Sequence, residues 1–337
     1  MGFGPDLLSQ LTLDELETLP VGRVVFEAHG HLRLATADGV RAALIAGPLR
    51  DRVDRVIVGD WVVTTPGDPL IATRRLDRRN ALRRRDPGDG VQWVAANLDI
   101  AWVCQAATDP NARRLERWAA LCADADVPAT VVITKRDLAD PCEVAAVAAR
   151  LGLPSIAVHA LGGDGLSELF ATVRPGETAA LLGLSGAGKS TLLNALVGSA
   201  AAETGEVRAS DGRGRHTTTA RHLYRLPNSG WLLDNPGVRT LGLVDEASLE
   251  SVFPEIDALV GRCRFRDCAH DQEPGCALRA ALDGGEVREE RFAAWRKLQR
   301  ELAYDARRDD PAARRAERER WKRIHLVQRA RDRTRDR

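Results

Sequence analysis

The chain has 337 residues, 44% apolar and 29% charged, with a formal net charge of +1. That length accommodates two or three domains of ordinary size, and the balance is that of a water-soluble globular protein. A net charge this small excludes nucleic acid or membrane binding by whole-molecule electrostatics and leaves only local patches. No apolar run approaches the length that spans a bilayer.

Met1 to Pro20 shows no basic stretch followed by a long apolar one, so no signal peptide is expected and a cytoplasmic location is the default expectation. From Val21 to about Arg79 the sequence reads as short strands between glycine turns. Val21–Glu27, Leu32–Thr36, Arg41–Leu44, Val56–Val58 and Trp61–Thr65 are the candidates, with Asp38-Gly39 as a hairpin signal. Five short strands predict a small OB-like β-barrel over 21–85, with a small sandwich as the alternative. Arg74 to Arg85 is basic and runs into Asp86-Pro87-Gly88-Asp89-Gly90, a loop that reads as a domain boundary.

Over 92–243 the pattern changes to alternation. Leu98–Cys104, Ala129–Ile133, Ile156–Val158 and Thr178–Leu182 read as strands. Arg113–Cys122, Glu143–Leu151 and Leu166–Thr172 read as helices. This predicts a mainly parallel α/β sheet with crossover helices, which binds ligands at the carboxyl ends of its strands.

Directly after the second of these strands comes Thr134-Lys135-Arg136-Asp137, similar to the N-K-x-D guanine motif with Thr in place of Asn. A carboxylate at Asp137 can accept from guanine N1–H and the exocyclic amine together, a donor pair that adenine lacks. The stem of Lys135 can lie over the base, and the Thr134 hydroxyl can donate to N7 or tie the loop to its neighbours. A charged turn that starts a helix is the other reading of these residues. His159-Ala160-Leu161 ends the next strand, where GTPases carry a Ser-Ala segment whose backbone N–H meets guanine O6. A purely structural role is the other reading of His159.

Gly183-Leu184-Ser185-Gly186-Ala187-Gly188-Lys189-Ser190 fits G-x-x-x-x-G-K-[ST] between a strand and a helix that continues through Thr191. Backbone N–H groups of such a loop surround phosphates, Lys189 supplies a point charge, and Ser190 a hydroxyl for Mg²⁺. Arg is too wide and planar for that lysine position. The chain has only four lysines, Lys135, Lys189, Lys297 and Lys322, and two of them stand in these two motifs. The guanine motif precedes the phosphate loop, the reverse of the usual order, so the domain is read as circularly permuted.

Gly214-Arg215-His216-Thr217-Thr218-Thr219 has the composition of a switch segment. Thr218 is the choice for Mg²⁺ and γ-phosphate, with Thr217 and Thr219 open as alternatives. Leu232-Leu233-Asp234-Asn235-Pro236-Gly237 resembles D-x-x-G, with Asp234 holding Mg²⁺ through water and the Gly237 N–H meeting γ-phosphate. Val238 stands where many GTPases place Gln, so slow intrinsic hydrolysis is expected. His216 is the in-chain candidate to orient the attacking water, and a structural histidine is the other reading. Lys189 and Asp234 complete the expected catalytic set.

Over 244–337 the sheet signal ends. Cys263-x4-Cys268-x-His270-x5-Cys276 supplies three thiolates and an imidazole, a closed tetrahedral set for one structural Zn²⁺. Two helices are expected after it, carrying the stripes Phe292, Trp295, Leu298, Leu302 and Trp321, Ile324, Val327.

On these motifs, together with Ala96-Asn97-Leu98-Asp99, Cys263–His270 and Glu273-Pro274-Gly275-Cys276-Ala277, the chain resembles the ribosome small subunit-dependent GTPase A family (RsgA, also called YjeQ). The resemblance implies a cytoplasmic enzyme that hydrolyses GTP to GDP late in assembly of the small ribosomal subunit. It implies stimulation by that subunit and contact of barrel and zinc segment with ribosomal RNA. A monomer and no membrane contact are expected. A P-loop ATPase, or an RNA-binding module with a vestigial nucleotide site, remains the alternative on the residues alone.

Overall fold

The computed structural model describes residues 2–28, 30–50, 55–86, 90–184, 186–198, 221–234, 252–265, 268–271 and 273–309. Two units divide the chain, Met1–Arg85 with Val91–Leu241, and Gly242–Arg337 with Asp86–Gly90.

The first unit opens with two short helices, α1 (Pro5–Leu8) and α2 (Leu13–Thr18). Thr12 and Glu15 form a capping box that starts α2, each side chain accepting from the other's backbone N–H. Leu7 packs with Trp61, Val63 and Leu76, and Phe3 meets Trp61 edge-on.

The barrel strands are β1 (Val21–Ala28), β2 (His31–Thr36), β3 (Gly39–Ile45), β4 (Trp61–Thr65) and β5 (Leu70–Arg75). Their order is β1-β2-β3-β5-β4, and β4 pairs back onto β1, which closes the barrel and rules out a sandwich. Only β3 and β5 run parallel. Val24, Leu32, Leu34, Ala43, Val62, Leu70 and Ala72 fill the interior.

One expected strand is absent. Val56–Val58 is buried but forms a turn rather than a strand. The Asp60 carboxylate accepts from the Ile57 N–H at 2.8 Å and curls the segment back. Gly59, at φ +95°, passes so close to Ala96 O that a Cβ would stand 2.1 Å from it. The missing strand is supplied instead by β5, which enters the basic stretch. A hairpin of β6 (Ala81–Asp86) and β7 (Gly90–Ala96) follows.

The remaining strands of this unit are β8 (Ile100–Ala106), β9 (Ala129–Thr134), β10 (Ser155–Ala157), β11 (Thr178–Leu182), β12 (Arg221–Arg225) and β13 (Trp231–Asp234). Their order is β10-β9-β8-β11-β13-β12, parallel except for β12. The crossovers are α3 (Ala112–Asp124), α4 (Cys142–Arg150), α5 (Leu166–Ala171) and α6 (Lys189–Val197). Leu115, Trp118 and Leu121 of α3 share a core with Val144 and Val147 of α4. Leu169 of α5 and Leu192, Leu193 and Leu196 of α6 belong to a second core with Trp102 and Leu181. Within this unit β12 also pairs with β1, Phe26 opposite His222 and Glu27 opposite Arg221, so sheet and barrel share one ladder. Arg23 reinforces the join: buried, it donates to Thr178 Oγ1 at 2.6 Å and Asn97 O at 3.1 Å, and it lies against the rings of Trp61 and Trp231.

The second unit contains α7 (Pro254–Val260), α8 (Ala277–Asp283) and α9 (Glu289–Asp309). Phe292, Trp295 and Leu298 of α9 are buried, as their spacing predicts. Trp321, Ile324 and Val327 lie outside the described residues. Among the described residues no helix is long and apolar enough to cross a membrane.

Candidate functional site

The carboxyl ends of β9, β8, β11 and β13 stand side by side in the sheet. Thr134 closes β9 and is buried, and its Oγ1 donates to Ala187 O at 2.8 Å. A Cβ on Gly188 would stand 3.2 Å from the same Oγ1. The end of β9, from which the Lys135-Arg136-Asp137 turn leaves, therefore touches the loop after β11, although Gly183 follows Thr134 by forty-nine positions and the chain order is reversed relative to the usual one.

Thr134 thus ties the two loops together, one of the two roles open to it from its chemistry. Lys135 sits at φ +57°, and the Leu138 N–H donates back to Lys135 O at 3.0 Å, forming a tight turn. Arg136 Nη1 reaches Ala157 O on neighbouring β10 at 3.3 Å. Asp137 is exposed, with Oδ2 3.7 Å from His159 Nε2. Ala160, next to His159, is half-buried.

In the loop after β11, Gly183 is at φ +138°, where a Cβ would meet Cys104 O on β8 at 2.6 Å. Gly186 and Gly188 are both at φ +82°. Such left-handed positions suit glycine, and they belong to the kind of backbone that gathers N–H groups around anions. Lys189 is buried at the first position of α6, and its Nζ donates to Gly183 O and Leu184 O, both at 2.8 Å. Burial holds its pKa below the ordinary lysine value, against the opposing pull of Cys104 and Asp234. Asp234 ends β13 opposite Leu181 of β11 and so lies within electrostatic range of that amine. Ser190 and Thr191 are exposed on the first turn of α6. Ser185, His216, Thr217, Thr218, Thr219, Gly237 and Val238 lie outside the described residues.

Cys263, Cys268, His270 and Cys276 converge, with all four ligand atoms within 4.8 Å of one another. His270 Nδ1 is 3.5 Å from the Sγ of Cys263 and of Cys276, and those two sulfurs are 3.9 Å apart. A tetrahedral zinc with ordinary bond lengths sets S···N at ~3.5 Å and S···S at ~3.8 Å, which Cys263, His270 and Cys276 match, with the Cys268 sulfur within 4.8 Å of them to complete the set. His270 takes φ +57° to turn inward and packs edge-on against Trp295. Burial, opposed by Glu273, lowers its pKa, which favours the neutral imidazole a metal requires. Cys276 also caps α8, accepting from the Arg279 N–H.

Four arginines of the basic stretch 74–85 are held in ion pairs by acids outside it. Arg74 pairs with Glu15 at 2.7 Å, Arg78 with Asp60 at 2.7 Å, Arg79 with Asp99 at 2.8 Å and Arg83 with Asp124 at 3.5 Å. Sequence reasoning saw the arginines but not their partners, because each partner comes from a distant part of the chain. It also left the side chain of His159 without a ligand-directed role. The run Gly162-Gly163-x-Gly165 behind it was the available sign of a tightly built turn.

A family model described as RsgA GTPase matches residues 75–244. The chain is 40% identical to the small ribosomal subunit biogenesis GTPase RsgA of Opitutus terrae, covering 94% of this chain and 92% of that one. It is 43% identical to the protein of the same name from Streptomyces coelicolor, over 93% and 89% of the two chains. Among solved structures, YjeQ from Thermotoga maritima superposes with a TM-score of 0.60 at 23% identity, covering 85% of this chain and 99% of that one.

Proposed function

Because the chain belongs to the RsgA GTPase family, we propose that it binds the small ribosomal subunit and hydrolyses GTP to GDP and phosphate during late assembly of that subunit. The observation that carries this reading is the Thr134–Ala187 contact. It sets a carboxylate-bearing loop beside a phosphate loop, which is what recognition of both ends of one guanine nucleotide requires.

In this proposal Asp137 accepts from the guanine edge, the stem of Lys135 covers the base, and Arg136 braces their turn against β10. The Ala160 backbone meets O6. Gly183, Leu184, Ser185, Gly186, Ala187 and Gly188 surround the phosphates, with Thr191 beside them on the first turn of α6. Lys189 exchanges its two carbonyl partners for β- and γ-phosphate oxygens. Ser190, Thr218 and Asp234 hold Mg²⁺, and the Gly237 N–H meets γ-phosphate. The metal would neutralise charge that develops on the transferred phosphoryl group. With Val238 unable to orient water, intrinsic turnover is slow and the subunit stimulates it, His216 being the in-chain candidate for the positioning group.

Cys263, Cys268, His270 and Cys276 hold one structural Zn²⁺ that supplies folding energy to the segment around it. The functional layout is a barrel over 21–85, a permuted GTPase domain over 92–243 and a zinc domain over 244–337, acting as a monomer. Barrel and zinc domain contact ribosomal RNA. With Arg74, Arg78, Arg79 and Arg83 held in ion pairs, phosphate contacts fall to other residues, and the salt dependence of subunit binding counts them.

The test is phosphate release from GTP with and without purified small subunits, and with ATP as competitor. Slow release accelerated by the subunit and insensitive to ATP is expected. Equal rates with and without subunits overturn the proposed partner, and inhibition by ATP overturns the base assignment.

A further inference from the structure

We propose that His159 is a positioning residue of the guanine site, its imidazole holding the Asp137 carboxylate in the orientation that reads the base. This rests on the assignment of Asp137 to guanine and adds the group that makes the contact selective.

Asp137 is an exposed side chain on a turn, and a carboxylate free to rotate there must lose that freedom when it engages a base. His159 reaches it from the neighbouring loop. Its Nε2 lies 3.7 Å from Asp137 Oδ2, and its Nδ1 lies 3.9 Å from Asp164 Oδ2 on the other side. The two loops leave adjacent parallel strands in register, Ala157 opposite Ile133, and the Val158 N–H donates to Ile133 O at 2.8 Å. Residues just beyond β9 and β10 are therefore neighbours.

The ring is seated by a closed turn built around it. The His159 N–H donates to Asp164 O at 3.0 Å, and the Gly162 and Gly163 N–H groups both donate to His159 O, at 3.1 and 2.9 Å. A Cβ on Gly162 would stand 2.4 Å from His159 Nδ1 and 2.8 Å from Cε1. Gly162 is not at positive φ, unlike Gly163 and Gly165, so its backbone does not demand glycine. A Cβ there would instead require the imidazole to leave its seat, because the ring occupies that space.

The pairing is compatible with base recognition. A carboxylate offers about four lone-pair sites, while guanine N1–H and the exocyclic amine use one each, so a site remains for an imidazole N–H. With Oδ2 of Asp137 at 3.7 Å from Nε2, a short closure of that side chain on base binding completes an Nε2–H···Oδ2 hydrogen bond and fixes that oxygen. Removing the ring costs the contact with the exocyclic amine most, because that contact needs both carboxylate oxygens placed at once.

The experiment compares GDP with IDP, which lacks the exocyclic amine, by competition against a fluorescent guanine nucleotide. Wild type is expected to prefer GDP. His159→Ala is expected to reduce the GDP/IDP affinity ratio about tenfold, the scale of one hydrogen bond to a charged group. His159→Gln, which returns an N–H donor to the same reach, is expected to restore most of the ratio. Gly162→Ala, which displaces the ring and keeps it in the chain, should repeat the His159→Ala loss and serves if that variant fails to fold. An unchanged ratio in His159→Ala and Gly162→Ala overturns the proposal. So does a loss shared equally by GDP and IDP, or a His159→Gln ratio no better than that of His159→Ala. Failure of the wild type to bind guanine nucleotide would instead overturn the parent assignment of Asp137.

Discussion

Replacing Thr134 with Val tests the joint between the two nucleotide loops. Valine keeps the branched shape of the buried side chain and removes its donor to Ala187 O. Losing such a bond removes roughly 0.5–1.5 kcal/mol, and depriving a shielded carbonyl of its donor can raise the cost to ~1–3 kcal/mol. Thr134 is 3% exposed, but its hydroxyl contact is only partly shielded, which puts the expected loss at about 1–2 kcal/mol. If the bond sets the spacing of the loops, that loss appears in nucleotide affinity as a weakening of about 5- to 30-fold. Titration with a fluorescent GDP analogue measures it, with urea unfolding to separate affinity from stability. Thr134→Ser, which retains the hydroxyl, should bind within about twofold of wild type. A Thr134→Val protein that binds GDP as wild type does refutes the idea that this hydrogen bond organises the site.

Four further outcomes are expected. Arg78→Met strands the buried Asp60 carboxylate and should destabilise the barrel by about 3–5 kcal/mol in denaturant titration. Burial already raises the Asp60 pKa against the pull of Arg78, and without Arg78 it rises further. A raised folded-state pKa favours the fold below the unfolded value and loses that favour as pH climbs through the folded one, so the deficit of the variant should shrink toward pH ~4; a pH-independent deficit contradicts this. Zinc affinity should rise with pH across the neutral range, because burial and the neighbouring thiols push Cys268 up to about 11 and its proton must leave on ligation. Elemental analysis should find that Cys276→Ala loses the metal, and metal retention at full occupancy refutes the ligand set. Finally, if hydrolysis of GTP is what releases the protein from the small subunit, the form loaded with a non-hydrolysable GTP analogue should bind the subunit more tightly than the GDP form, and equal affinities refute that release.

Some of this was legible because chemistry leaves few substitutes. A lysine at 189, glycines at 183 and 188, and three cysteines with a histidine are each demanded by what they would hold, so residue type and spacing announce them. The parallel sheet was legible through its apolar runs. The barrel was harder. Val56–Val58 looks like a strand by composition, but Asp60 takes the hydrogen bonds of Ile57 and the Ala96 N–H that of the Val58 carbonyl, which hydropathy does not register. Leu70–Arg75 is a strand whose exposed side chains are Ile71 and Thr73 and which ends in two half-buried arginines, Arg74 finding its acidic partner Glu15 far off in sequence. The Thr12–Glu15 capping box was a visible signal for α2 that the strand pattern overshadowed. His159 was noticed, but the meaning of its ring depends on Asp137 and Gly162, which only folding brings against it.

The shared ladder between β1 and β12 has a consequence for dissection of this protein. A fragment trimmed to begin after the barrel would inherit a raw sheet border at Arg221 and His222, its backbone donors and acceptors newly open to any extended peptide. It would also lose Arg23, leaving Thr178 and Trp231 without the guanidinium they enclose. Catalysis by such a truncated piece would report on a damaged protein, and self-association through that border would be the first sign.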